Sequence, residues 1–156
     1  MESLWWGFRM FVSETYEVCD CIYYDAMSSD THSRYTIDSD DTLEFDNDHL
    51  LFTRKENGGN YIDLRGQTIS NYQGKTIEFK ATVKCTSSNN GKIRARIAVN
   101  NSFSAGGTGD YVTEGNAIVT NVNVPSDATQ INIRLETNSF TVGDTVEIKD
   151  WMVYPV

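Results

Sequence analysis

The chain is expected to fold as an all-β antiparallel sandwich of eight to ten strands, and three observations carry that expectation. Hydrophobic and polar residues alternate with a period of two in several separate segments. Short apolar stretches of five to eleven residues are punctuated by Gly, Asn, Asp or Ser, as strands are by turns. No sustained 3.6-residue period follows residue 20, so helix should make up less than about a tenth of the chain.

Taken in order, the segment 4–12 differs from the rest. Leu4, Trp5, Trp6, Phe8, Met10 and Phe11 make it apolar on every side, and such a stretch must be covered by something. It is read either as a first strand of the sandwich or as an arm inserted into a neighbouring subunit. A membrane-surface anchor is disfavoured, because Arg9 is its one basic residue. Residues 1–18 are therefore assigned as arm or first strand and 19–156 as the sandwich. Short strands are expected at 35–37 and 43–45. Residues 49–54 and 60–64 flank Glu56-Asn57-Gly58-Gly59, which predicts a hairpin by turn chemistry.

The clearest strand is 75–85, where Ile77, Phe79, Ala81, Val83 and Cys85 alternate with Glu78, Lys80, Thr82 and Lys84. Asn90-Gly91 follows, then Ile93, Ala95, Ile97 and Val99 alternate with Arg94, Arg96 and Ala98, so these two strands are expected to pair antiparallel. The Asn-, Ser- and Gly-rich stretch 100–111 reads as a long loop. Residues 116–124 form a strand ended by Pro125-Ser126-Asp127, residues 129–136 repeat the alternation, and 145–154 form the last strand. The expected core includes Ile77, Phe79, Val83, Ile93, Ile97, Ile131, Ile133, Leu135 and Ile148.

At 156 residues, with 39% hydrophobic and 22% charged residues, one domain with a real core is expected. The net charge of −9 argues against nucleic acid and anionic lipid as partners, and apart from Arg54-Lys55 and Arg94/Arg96 the basic residues are scattered along the chain. No apolar run approaches the ~20 residues that span a bilayer, and Glu2 stands where a secretory signal would be basic. Cys19, Cys21 and Cys85 show no CxxC, and neither His32 nor His49 lies at a zinc spacing from them. They are read as small buried hydrophobes, with a disulfide from Cys85 to Cys19 or Cys21 as the alternative.

Catalysis finds little support, since neither His32 nor His49, both in acidic, Ser-rich surroundings, suggests a nucleophile triad. Sugar recognition needs aromatic faces for the apolar side of a pyranose and amide or carboxylate groups for its hydroxyls. Tyr61, Tyr72, Phe103, Tyr111 and Trp151 are aromatics with polar neighbours and are the candidate carbohydrate-binding residues. Asn100-Asn101-Ser102 matches a glycosylation acceptor, a pattern too short to carry weight here.

Three stretches, 77–83 (IEFKATV), 122–135 (VNVPSDATQINIRL) and 143–153 (GDTVEIKDWMV), resemble the galactose-binding-like jelly-roll modules. That family includes carbohydrate-binding modules appended to glycosidases and similar modules in phage tail and fibre proteins. Tyr23-Tyr24-Asp25, Leu50-Leu51-Phe52 and Tyr61-Ile62-Asp63-Leu64 fit it more loosely, so the resemblance spans about residues 20 to 156. It implies a jelly-roll topology and a structural calcium ion near the chain ends, with Asp150 as one ligand and Asp25 or Asp20 as another. Function is expected to be non-catalytic: a structural or adhesion module of a virion, such as a tail fibre, or of a comparable surface assembly. Leu4, Trp5, Trp6, Phe8 and Phe11 would contact neighbouring subunits, with host glycan as a further ligand. The alternatives are a carbohydrate-binding module that targets a larger protein to polysaccharide, and a small hydrolase. Location at a virion or cell surface follows from the assembly reading alone.

Overall fold

Alternation sends successive side chains of a strand to opposite faces, so a half-apolar segment is stable only with one face against a second layer. A computed structural model, describing residues 21–27, 30–55 and 60–156, shows how the layers meet. Eleven strands occur there: β1 (Tyr23–Asp25), β2 (Thr36–Ile37), β3 (Thr42–Asp46), β4 (His49–Thr53), β5 (Tyr61–Thr68), β6 (Thr76–Thr86), β7 (Lys92–Val99), β8 (Ser102–Thr108), β9 (Glu114–Asn123), β10 (Gln130–Asn138) and β11 (Thr145–Pro155). One sheet runs β3-β4-β11-β6-β9, with β1 also on β11; the other runs β2-β5-β10-β7-β8, and all pairings are antiparallel. The 3-10 turns His32–Arg34 and Ser70–Tyr72 are the helical elements among the described residues.

The inner faces of the two sheets make one core. Ile77, Phe79, Val83, Ile93, Ile97, Ile131, Ile133, Leu135 and Ile148, expected inside from alternation, are all buried, with Phe52, Leu50, Ile62 and Val153 beside them. Trp151 lies at the centre of one end, tilted against Phe79 and Tyr35 with ring centroids 4.9 Å away in each case. Burial of a ring this size contributes more than most aliphatic contacts here.

The two predicted hairpins are not hairpins. β6 pairs with β11 and β9, whereas β7 pairs with β10 and β8, so Asn90-Gly91 lies in an arch that carries the chain from one sheet to the other. β4 and β5 likewise belong to different sheets. Turn residues report where a chain reverses; the partner is chosen by which sheet buries the strand's apolar face. The 87–91 arch is tied across the end of the sandwich: Ser87 Oγ donates to Asp144 Oδ2 at 2.7 Å, and the Ser88 amide donates to Asp144 Oδ1 at 3.1 Å.

A second correction concerns 100–111, read as loop. Residues Ser102–Thr108 form β8, the edge strand of the five-stranded sheet. It was hidden because close approach replaces the apolar alternation: a Cβ on Gly106 would lie 1.9 Å from the Ile97 carbonyl oxygen, and one on Gly107 would lie 2.6 Å from Val122 Cγ2. The cysteine readings also change. Cys85 is a free, partly buried thiol, and burial pushes its pKa up to about 11. Cys21 is disulfide-bonded, so it is neither a simple buried hydrophobe nor joined to Cys85. Segments 1–20, 28–29 and 56–59, which include the aromatic arm, Cys19 and Asp20, lie outside the described residues.

Two outcomes follow from this packing. Ile133→Ala should lower unfolding free energy by about 2–5 kcal/mol in chemical denaturation, because the position is fully buried between the sheets. Asp144 supplies a pH signature. Burial opposes its charge, but the Thr141 amide, the Ser87 hydroxyl, the Ser88 amide and the Thr141 hydroxyl outweigh that and hold its pKa at about 2. A depressed carboxylate pKa stabilises fully above the unfolded-state value near 4 and is lost as pH falls from about 4 to about 2. Asp144→Asn should therefore cost about 2 kcal/mol at neutral pH, and the gap to the natural chain should close by about pH 2. A gap that does not change with pH would show that the charge contributes nothing.

Candidate functional site

The outward positions of the five-stranded sheet carry most of the chemistry of this surface. Thr36 on β2 is opposite Asp63 on β5, Asp63 opposite Arg134 on β10, Arg134 opposite Arg96 on β7, and Arg96 opposite Thr108 on β8. One row of polar groups thus crosses all five strands. The neighbouring row runs Tyr61, Glu136, Arg94 across β5, β10 and β7. Neighbouring strands lie about 4.8 Å apart and same-face residues about 7 Å apart along a strand, so both rows form one continuous patch.

Ion pairs fix the patch. Arg134 grips Asp63 with two hydrogen bonds, Nε to Oδ1 at 2.6 Å and Nη2 to Oδ2 at 2.8 Å, the geometry that suits a guanidinium and a carboxylate best. Arg65 Nη2 also reaches Asp63 Oδ2, at 3.3 Å. Glu136 accepts from Arg96 Nη1 at 2.7 Å and from Arg94 Nη2 at 3.2 and 3.3 Å. The Asp63 hydrogen bond raises the pKa of Arg134. Burial works against the charge of Glu136, but the Arg94 and Arg96 hydrogen bonds prevail and lower its pKa.

Aromatic rings complete the patch. The Arg134 guanidinium carbon lies 4.4 Å from the Tyr61 ring centroid and 4.8 Å from that of Phe103. Arg96 lies 4.2 Å from the Phe103 centroid, and Arg94 lies 4.5 Å from that of Tyr111. Tyr61, Phe103 and Tyr111 are all half-buried, leaving part of each ring to solvent. Of the five aromatics singled out from sequence, these three are brought together on one face.

The other two are not. Trp151 is fully buried in the core and cannot meet a ligand, because its inward position on β11 places it between Phe79 and Tyr35. Tyr72 ends the 3-10 turn before β6 and packs against the core edge with Lys75 Nζ 5.4 Å from its ring centroid. A cleft also lies elsewhere, on the six-stranded sheet beside Lys84, Glu114, Glu147 and Lys149, and no aromatic ring lines it. Sugar chemistry favours the aromatic face over that concavity.

Of the carboxylates expected to hold calcium, Asp25 and Asp150 are among the described residues. Asp25 is buried and already bound, accepting from the Met27 amide at 2.9 Å and the Tyr35 hydroxyl at 3.0 Å. Asp150 is exposed at the β11 bulge, with φ 51°. Asp20 lies outside the described residues, among which no group of three or more His, Cys, Asp or Glu could hold a metal ion.

No protein-family model and no curated protein matches the chain. Solved structures do. The C-terminal family 22 carbohydrate-binding module of Clostridium thermocellum Xyn10B superposes with a TM-score of 0.61 at 14% identity, over 89% of this chain and 96% of that one. A family 22 xylan-binding domain gives 0.55 at 13% identity, over 89% and 96%. A family 29 module from Piromyces equi gives 0.51 at 14% identity, over 85% and 89%. The fold is thus the jelly-roll β-sandwich of carbohydrate-binding modules, and at these identities the likeness is one of fold.

Because Asp63 is buried and holds two arginines, Asp63→Ala should destabilise the domain by about 2–3 kcal/mol in urea unfolding. Arg65→Ala, which removes the exposed and weaker partner, should cost less than about 1 kcal/mol.

Proposed function

We propose that this domain is a non-catalytic module that binds polysaccharide on the outer face of its five-stranded sheet. The observation that carries the reading is the gathering of Tyr61, Phe103 and Tyr111 with Arg94, Arg96, Arg134, Asp63 and Glu136 on that face. Ring faces suit the C–H side of a pyranose, and the charged groups suit its hydroxyls, each at positions that the ion pairs hold rigid. A preorganised face loses less freedom on binding than one assembled around its ligand. The carbohydrate-binding modules with the same fold support this assignment.

Affinity electrophoresis of the full chain through gels containing a panel of soluble plant and microbial polysaccharides is the test. At least one polymer should retard the protein, and Tyr111→Ala or Phe103→Ala should weaken that retardation about tenfold, since one aromatic contact contributes about 1–1.5 kcal/mol. Retardation that neither variant reduces would move the site off this face.

The aromatic segment supports a second reading, from sequence alone, in which the same module is held in a virion or surface assembly through Leu4, Trp5, Trp6, Phe8 and Phe11. Deleting residues 1–12 should then convert an oligomer into a folded monomer in sedimentation. A deletion that unfolds a chain already monomeric would assign the segment to the core.

A further inference from the structure

We infer that the ligand of this face is an acidic polysaccharide, one whose sugars carry carboxylates; the inference rests on the carbohydrate-binding reading and narrows it. The chain as a whole is acidic, with a net charge of −9, yet this face has the opposite sign. Arg65, Arg94, Arg96 and Arg134 stand on it with Lys92, whose Nζ lies 5.3 Å from the Tyr111 ring centroid, and they are met by two carboxylates, Asp63 and Glu136. Asp110, the nearest acid in sequence to Tyr111, lines a cleft at the β8 edge of the face with Thr108, Asn116, Ile118 and Thr120, and even with it counted the basic groups of the face outnumber the acids.

The two carboxylates leave guanidinium capacity over. Asp63 is shared by Arg134 and Arg65, and Glu136 by Arg94 and Arg96. Arg94 Nε is buried and has no hydrogen-bond partner among the described residues. Arg94 Nη1, Arg96 Nη2 and Arg134 Nη1 likewise form no hydrogen bond with a described residue, whereas the other nitrogens of Arg96 and Arg134 are engaged. Each guanidinium carries five N–H donors in a planar fork that matches a carboxylate's two oxygens. A neutral sugar offers hydroxyls, which satisfy such donors less well than a charged acceptor does.

The chain's overall negative charge does not oppose this. At physiological ionic strength the screening length is about 8 Å, so acids on the far sheet are largely screened while the arginines touch the ligand. Stacking by Tyr61, Phe103 and Tyr111 favours a ring-bearing polyanion over a bare one.

The full chain should be titrated calorimetrically with polygalacturonate, with the same polymer after carboxyl reduction, with dextran sulfate and with a single-stranded oligonucleotide. The expected result is binding of polygalacturonate, loss of about tenfold or more on carboxyl reduction, and weaker binding of the other two polyanions. Arg96→Lys, which keeps the charge but not the fork, should lose the preference for the unreduced polymer. A preference unchanged in Arg96→Lys would overturn a forked carboxylate contact. Equal binding of the reduced polymer or of neutral glycans would overturn the acidic specificity and leave the carbohydrate reading standing. Dextran sulfate or the oligonucleotide bound as tightly as polygalacturonate would reduce the face to a general anion site. Binding of none of these, nor of any neutral glycan, would defeat both readings.

Discussion

The constraint on which the molecule rests is the two-faced character of β10 and β7. Ile131, Ile133 and Leu135 on β10, with Ile93, Ala95 and Ile97 on β7, give one side of each strand to the core. The intervening positions, Asn132, Arg134 and Glu136 against Arg94 and Arg96, are therefore forced onto the opposite side and into register with one another. Core and candidate site are two phases of the same alternation, so a slip of one residue would destroy both.

Within that frame, the Asp63–Arg134 pair joins the strands mechanically and chemically. A carboxylate buried at the sheet surface is costly unless it is paired, and two short hydrogen bonds from one guanidinium pair it well. The same contact holds Arg134 between Tyr61 and Phe103, which come from β5 and the edge strand β8. The glycines that let β8 approach β7 thus bring Phe103 to the arginines. A ligand face of this kind is assembled by strand pairing and needs no long loop to supply it.

The connections explain why the sandwich closes. Most steps along the chain pass from one sheet to the other; β3 to β4 and β7 to β8 are the hairpins among the described residues. Arches of this sort leave loops stacked at the ends of the sandwich, where Asp144 binds the 87–88 arch to the turn before β11. The carboxylates Asp25, Asp41 and Asp144 are all buried and all spent on tying such segments. They serve architecture, tying the connections at the ends of the sandwich.

What the sequence determined by itself was everything local: the all-β class, the position of most strands, and the buried phase of each, because side-chain direction in a strand has a period of two and needs no knowledge of partners. It also pointed to Tyr61, Phe103 and Tyr111, as half-polar surroundings of large rings are visible in any window. Pairing lay beyond it. Asn90-Gly91 marks a reversal, but whether the next strand returns beside β6 or crosses to the other sheet depends on which arrangement buries both apolar faces. For the same reason the Arg94/Arg96 pair looked isolated: Arg65 and Arg134 are distant from it along the chain and become its neighbours through the order β5-β10-β7. Trp151 fell the other way, since only the bulge at Asp150 and the packing of Tyr35 and Phe79 decide that its ring faces inward.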